Sequence, residues 1–160
     1  MTYNDKLLQR AIRGWVQNVD WVRPFAVTLT LKQCLPLPGG ALVKITPDLA
    51  SRNMRHFLNL LNRRVYGSAY LRHGQRLPCL VALEGTNDKR LHYHIHLDCP
   101  REDLVPTYPR LISELWERTD WGHREVDVQS ADEGWVGYIT KLRDKADYSA
   151  AFDWQLSHFI

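Results

Sequence analysis

The stretch that most limits how this chain can fold is Leu91–Leu97, where histidines occupy every second position. In an extended strand, successive side chains point to opposite faces, so His92, His94 and His96 would share one face. The other face would carry the apolar side chains Leu91, Tyr93, Ile95 and Leu97. Because imidazole is a common metal ligand, the pattern predicts a strand with one core face and one candidate metal-binding face. The alternative is a half-buried strand whose outer face is merely polar.

The composition is that of an ordinary globular protein. A length of 160 residues suits one domain, so we expect a single domain over residues 1–160. Three cysteines without CxxC spacing favour reduced thiols, and no apolar run approaches the length that spans a membrane. We therefore expect a cytoplasmic protein with no membrane partner. A net charge of +3 permits nucleic-acid binding but does not argue strongly for it.

Periodicity predicts an alternation of helices and strands. The expected helices lie at about 5–19 with Asn4 as N-cap, at 47–65 with Thr46 as N-cap, at 109–118, and at 131–145 after a Ser130–Glu133 capping box. The expected strands lie at about 25–32, 79–84, 91–97 and 125–129, with a short one at 41–45, a loop at 68–77 and a tail at 152–160 that packs back as a short helix. Without the first helix, this order is the ferredoxin-like or RRM-like split βαβ arrangement. The predicted fold class is α+β, with a central antiparallel sheet and additional terminal helices.

Three local patterns accompany the histidine strand. The strand at 25–32 places Thr28, Thr30 and Lys32 on one face and apolar residues on the other. The strand at 79–84 ends in Glu84 and is joined by turn residues to the histidine strand, which predicts an antiparallel hairpin. In the helix predicted at 131–145, Tyr138 and Lys141 are three residues apart and therefore neighbours. Two glycines weaken that helix by about 1 kcal/mol each relative to alanine, which indicates close approach of a backbone or a ligand.

The segments Phe25–Thr30, His92–His94 and Tyr138–Lys141 together resemble the motifs of the HUH superfamily of single-strand endonucleases. The resemblance covers about 25–145. Because the histidines precede the tyrosine, the chain is similar to the rolling-circle replication initiators, or Rep proteins, of plasmids, phages and small viruses. Conjugative relaxases usually have the reverse order.

The resemblance implies metal-dependent nicking and joining of DNA through a covalent 5′-phosphotyrosine. Tyr138 would be the nucleophile and Lys141 its catalytic partner, and the free 3′ hydroxyl would prime replication. The metal, Mn²⁺ or Mg²⁺, would be held by His92, His94 and a third ligand. Glu84 is favoured for that position because this family often takes an acid from the strand before the histidines, and His96 is the alternative.

The resemblance also implies partners. Single-stranded DNA or an origin hairpin would lie along the sheet and contact Thr28, Thr30, Lys32, Arg90, His96 and Lys145. The sequence contains no Walker A pattern, so we expect the protein to depend on a host helicase and host replication proteins. The expected setting is a bacterial cell, with the protein encoded by a plasmid or phage. Tyr148 lacks a lysine three residues later, which favours a single-tyrosine mechanism.

Other functions remain open. A single-tyrosine transposase has a similar length and motif order, although the Phe25–Thr30 strand and the Tyr138–Lys141 spacing favour a Rep protein. A non-catalytic RRM-like nucleic-acid-binding module would place aromatic residues on the exposed strand face, where this chain has histidines. A structural domain would leave the pairing of Tyr138 with Lys141 unexplained. A Tyr138→Phe variant separates these classes, because only an enzyme would lose cleavage.

Overall fold

The structure is a computed structural model that describes residues 2–86, 89–145 and 147–159. The helices are α1 Tyr3–Gln17, α2 Pro47–Tyr66, α3 Ser68–His73, a 3-10 helix Glu102–Thr107, α4 Tyr108–Glu117, α5 Trp135–Ile139 and α6 Tyr148–Ala151. The strands are β1 Pro24–Leu31, β2 Cys34–Pro36, β3 Leu42–Lys44, β4 Cys79–Thr86, β5 Lys89–Asp98 and β6 Gly122–Ser130.

The central sheet has four strands in the order β4-β5-β1-β6, and each neighbouring pair is antiparallel. With α2 and α4 as the two crossover helices, this is the ferredoxin-like arrangement, so the predicted α+β class is confirmed. Strands β2 and β3 form a separate antiparallel hairpin. The described helices include none that is long and apolar enough to cross a membrane.

One face of the sheet packs against α2 and α4 and forms the main core. The alternation predicted for β1 is confirmed, since Phe25, Val27, Leu29 and Leu31 are buried in this core. Tyr93, Ile95 and Leu97 of β5 lie in the same core. Thr46 caps α2 as predicted, accepting a hydrogen bond from the Leu49 amide.

The opposite, histidine-bearing face is covered by the terminal segments. Ile12 and Val16 of α1, Ile139 of α5 and the segment 148–152 form a second apolar cluster with Leu80 and Ala82 of β4. The tail also bridges β4, because Cys79 pairs with His158 and Ala82 pairs with Phe152. Terminal helices therefore bury much of the face that carries His94 and His96.

Several sequence predictions are wrong in detail. The helix predicted at 131–145 is the short α5, and Ser130 cannot cap it because Ser130 pairs with Phe25 at the end of β6. Thr2, rather than Asn4, caps α1 through a capping box with Asp5. The loop predicted at 68–77 contains α3, and the helical part of the tail is α6 rather than the 152–160 segment. Asn87 and Asp88 of the predicted hairpin turn lie outside the described residues.

Candidate functional site

The register of the sheet places the histidines beside specific residues of the neighbouring strands. His92 lies opposite Glu84 of β4 and opposite Thr30 of β1. His94 lies opposite Thr28 on one side and Ala82 on the other. Because each of these rows crosses the sheet on the same face, the acid at the end of β4 meets both imidazoles.

Glu84, His92 and His94 form a compact group of potential metal ligands. The Nε2 atoms of the two histidines are 3.2 Å apart. Oε2 of Glu84 lies 3.5 Å from Nε2 of His94 and 3.9 Å from Nε2 of His92. Donor atoms that bind one ion at about 2.1 Å are separated by roughly 3–3.5 Å, so these spacings are close to those of a shared coordination sphere. Two imidazoles and a carboxylate fit a divalent cation.

The protonation of both histidines suits ligation. Nδ1 of His92 donates to the Arg90 carbonyl oxygen at 2.9 Å, which leaves Nε2 of the neutral ring with its lone pair toward Glu84. Nδ1 of His94 is hydrogen-bonded to Oγ1 of Thr28 at 3.0 Å. Burial lowers the pKa of His94 to about 4, and the opposing effect of Glu84 is smaller. His94 is therefore a neutral ligand near pH 7.

Two lysines neutralise Glu84, whose side chain is only 3% exposed. Nζ of Lys145 donates to Oε1 at 2.6 Å, and Nζ of Lys141 lies 3.3 Å from Oε2. Burial lowers the pKa of Lys145, although Glu84 opposes that effect. For Lys141, burial also acts to lower the pKa, but Glu84 and the Tyr138 hydroxyl outweigh it and raise the pKa above its ordinary value. The paired charges explain how this carboxylate is tolerated beneath the surface.

Tyr138 stands directly beside the ligand group. Its ring lies edge-on to His94 with ring centres 5.2 Å apart and is stacked on Trp135 at 5.5 Å. Nζ of Lys141 lies 3.9 Å from the centre of the Tyr138 ring. The ring therefore packs against His94, an indole and an ammonium group, while the side chain remains 45% exposed. Trp135 is itself fixed by a hydrogen bond from its Nε1 to the Ile95 carbonyl oxygen.

The structure places the remaining predicted site residues at different depths. His96 is buried against Trp21 and lies outside the Glu84–His92–His94 group; its Nδ1 has no hydrogen-bond partner among the described residues. Lys145 contacts Glu84 instead of facing solvent. Thr30 donates to the Glu125 carbonyl oxygen, and Lys32 donates to the Asp120 carbonyl oxygen. The structure thus brings Tyr138 and Lys141 to the ligand group and leaves Arg90 exposed at its edge.

Sequence reasoning missed three features of this site. Trp135 precedes Tyr138 by one helical turn, a spacing that could have indicated the stacked pair. The partnership of Thr28 with His94 depends on the register of β1 against β5, which no local pattern fixes. No sequence signal indicates that Thr140 is fully buried between the two motif residues.

The fold and this site together define an α+β protein with a candidate divalent-metal centre and an adjoining tyrosine–lysine pair on its sheet face. Residues 24–147 match the family described as replication-associated protein ORF2, and the chain belongs to this family. This confirms the predicted association with DNA replication. No curated protein and no solved structure matches the chain.

Proposed function

We propose that this protein initiates replication by nicking and rejoining single-stranded DNA through Tyr138, as an HUH-type Rep endonuclease. The observation that carries this proposal is the placement of an exposed phenol directly beside the Glu84–His92–His94 group. Membership of a replication-associated family supports the biological setting. A purely structural role would not require a buried carboxylate, two ligand-competent imidazoles and an exposed tyrosine at one point.

The ligand group fits a divalent cation, and Mn²⁺ or Mg²⁺ would be held by Glu84, His92 and His94. When bound, such an ion supplies Lewis-acid polarisation of a phosphate oxygen. The part of the protein is to hold the three donors together. Thr28 and the Arg90 carbonyl orient the imidazoles, and Lys145 fixes one oxygen of Glu84.

The proposed reaction is a transesterification. The Tyr138 oxygen attacks the scissile phosphorus, a bond forms between that oxygen and the phosphorus, and the bond to the 3′ oxygen breaks. The phenolic proton leaves to solvent, and the departing 3′ oxygen takes a proton from solvent. The products are a 5′-phosphotyrosine and a free 3′ hydroxyl. Attack by a 3′ hydroxyl on the phosphotyrosine reverses the step and rejoins a strand without external energy.

Lys141 is placed to assist the nucleophile. Tyrosine side chains are ordinarily protonated near neutral pH, so a phenol nucleophile requires help to lose its proton. The Lys141 ammonium contacts both the Tyr138 ring and Glu84, which allows it to stabilise negative charge on the phenolic oxygen or on the attacked phosphate. The raised pKa of Lys141 keeps it positively charged for this role.

The proposed substrate is single-stranded DNA or an origin hairpin, with strand separation supplied by a host helicase. DNA has to reach Tyr138 and His92, because those are the more exposed members of the site, whereas Glu84 and His94 lie deeper. Arg90 is exposed next to His92 and is suited to contact phosphate.

A denaturing gel tests the proposal. The protein is mixed with Mn²⁺ and single-stranded oligonucleotides from its own genetic neighbourhood, beside Tyr138→Phe and Tyr3→Phe variants. Tyr3 is an exposed tyrosine outside the site and is the matched control. We expect a protein–DNA adduct that requires metal, persists in Tyr3→Phe and disappears in Tyr138→Phe.

The opposite results are equally informative. An adduct that survives in Tyr138→Phe would assign the nucleophile elsewhere. DNA binding without an adduct in any metal, equal in wild type and Tyr138→Phe, would instead favour a non-catalytic binding module.

A further inference from the structure

The backbone carbonyl of Thr140 is held by two segments distant in sequence. Gln9 of α1 donates to it through Nε2 at 2.8 Å, and the buried Tyr148 donates to it through its hydroxyl, also at 2.8 Å. In a continuing α-helix this carbonyl would accept from the amide of Asp144. Asp144 instead has a left-handed backbone with φ of 68°. The two side chains therefore replace the helical bond at the end of α5.

The hydroxyl of Thr140 makes a second set of contacts. It accepts a hydrogen bond from Nε of Arg13 at 2.8 Å and donates to the Val136 carbonyl oxygen at 2.6 Å. Thr140 is fully buried, so both contacts are shielded from water. Gln9, Arg13 and Tyr148 form what we call the Thr140 clamp.

The clamp acts on a helix that cannot hold itself in place. Helix α5 has five residues, far fewer than an isolated helix needs to be stable in water. Its glycine, Gly137, further weakens it. The helix nevertheless carries Tyr138, and Lys141 follows it at once. Contacts from outside must therefore define where the tyrosine stands relative to the ligand group.

We propose that Gln9 and Arg13 are positioning residues that set the location of Tyr138 through Thr140. This inference rests on the proposed role of Tyr138 as nucleophile. Both residues lie before residue 24, where the match to the replication-associated family begins, and Tyr148 lies just after its end at 147. Terminal segments outside the family-matching part of the chain thus complete the site.

The expected effect on rate follows from geometry. A displacement of about 1 Å between a nucleophile and its target can cost about 100-fold in rate. Loss of a clamp contact should therefore slow adduct formation while leaving the Glu84–His92–His94 group intact, because those three residues belong to β4 and β5. The clamp predicts a loss in the chemical step without a loss of metal or DNA affinity.

Paired variants test the inference. Thr140→Val keeps the side-chain shape and removes the hydroxyl, whereas Thr140→Ser keeps the hydroxyl. Gln9→Glu replaces the donor with an oxygen facing the Thr140 carbonyl, and Gln17→Glu makes the same change at an exposed position of α1. Ile12→Val removes one buried methyl group from the same helix and controls for lost stability.

Two measurements are made on each variant. The first is the single-turnover rate of adduct formation with saturating oligonucleotide and Mn²⁺, together with the affinities for both. We expect Thr140→Val and Gln9→Glu to lose at least about tenfold in rate at unchanged affinities, and the other variants to stay near wild type. The second is amide hydrogen exchange of residues 135–141 in metal-free protein, which we expect to accelerate only in the first two variants.

Three outcomes would overturn the inference. In the first, Thr140→Val and Gln9→Glu match wild type in both rate and exchange. In the second, Ile12→Val slows the reaction as much as they do, which would reduce the effect to general stability. In the third, exchange over 135–141 is unchanged although the rate falls. If wild type forms no adduct, the proposed function fails, and the exchange comparison still tests the clamp by itself.

Discussion

Replacing Glu84 with glutamine should destabilise the protein even when no metal is present. Glu84 is the only acid that forms an ion pair with Lys145 in the described parts of the chain, and the Lys145 side chain is 0% exposed. Glu84→Gln keeps the volume and one hydrogen-bond acceptor but leaves the Lys145 ammonium buried without a counter-charge. The structure therefore predicts a penalty at the level of protein stability, separate from any loss of metal.

The size of the penalty can be estimated. Removing one partner of a buried ion pair typically costs about 3–5 kcal/mol. The retained amide oxygen and the partial exposure of Lys141 place this case at the lower end, at about 3 kcal/mol. For a chain of this length, 1 kcal/mol corresponds to roughly 2–4 °C, so the Tm should fall by about 6–12 °C.

The assay is thermal unfolding of four proteins, each with and without Mn²⁺. They are wild type, Glu84→Gln, Lys145→Met and the double variant. Replacing both partners of a buried pair by uncharged groups is often neutral, so the double variant should recover most of the lost stability. Wild type should gain about 2.7 kcal/mol when Mn²⁺ is present at 100 times its Kd, and neither of the two variants that lack the Glu84 carboxylate should show a comparable gain.

Two results would refute the reasoning. If Glu84→Gln unfolds at the wild-type temperature without metal, then Glu84 does not compensate a buried charge. If the double variant still gains the full stabilisation from Mn²⁺, then Glu84 is not a ligand.

Further predictions concern the histidines and the tightest turn. Thr28→Val should weaken Mn²⁺ binding by about 10–100-fold, because it removes the hydroxyl that orients His94; calorimetric titration against Thr28→Ser as control would show this. Gly122→Ala should prevent folding or cost several kcal/mol, because a Cβ there would lie 1.9 Å from a backbone oxygen. Gly137→Ala, which meets no described atom within 4 Å, should instead stabilise by up to about 1 kcal/mol in urea unfolding. Burial lowers the pKa of both His94 and His96 to about 4, so between pH 6.5 and 4 the unfolded chain binds protons that the folded protein does not; metal-free stability should therefore fall as the pH is lowered through this window, by about 1 kcal/mol or more per histidine at pH 5, and a His96→Phe variant should lose part of that dependence.

The sequence predicts the central sheet well because its signals are local. Alternation in β1 and β5 separates core-facing from histidine-facing side chains, and the cap at Thr46 marks the start of α2. The order of strands and helices then leaves few compact topologies, and the ferredoxin-like one is found. These features depend on neighbours within a few residues, which a single sequence displays directly.

The site depends on contacts between distant residues and could be predicted only in outline. The row formed by Thr30, His92 and Glu84 requires the register of three strands. The end of α5 is decided by Gln9 and by the C-terminal segment, more than a hundred residues away in the first case. Local periodicity alone predicts a helix that continues through 145, since the competing hydrogen bonds are not visible in the sequence.

Differences in exposure around the ligand group indicate where DNA can enter. The Glu84 and His94 side chains are almost completely covered, whereas 27% of the His92 side chain is exposed and Tyr138 is more open still. A strand must therefore approach from the side of His92 and Tyr138. The guanidinium of Arg90 stands there, paired with the Glu125 carboxylate at 3.0 Å.

A surface ion pair of this kind contributes only about 0–1 kcal/mol, so a phosphate can replace Glu125 at little cost. His96, buried against Trp21, has no comparable access to a strand. We therefore expect Arg90→Gln to weaken oligonucleotide binding and reduce its salt dependence, and His96→Gln to leave both unchanged in a fluorescence-anisotropy titration. Equal weakening by the two variants would mean that DNA enters through the terminal layer, and the exposure of the site would then be no guide to the path of the strand.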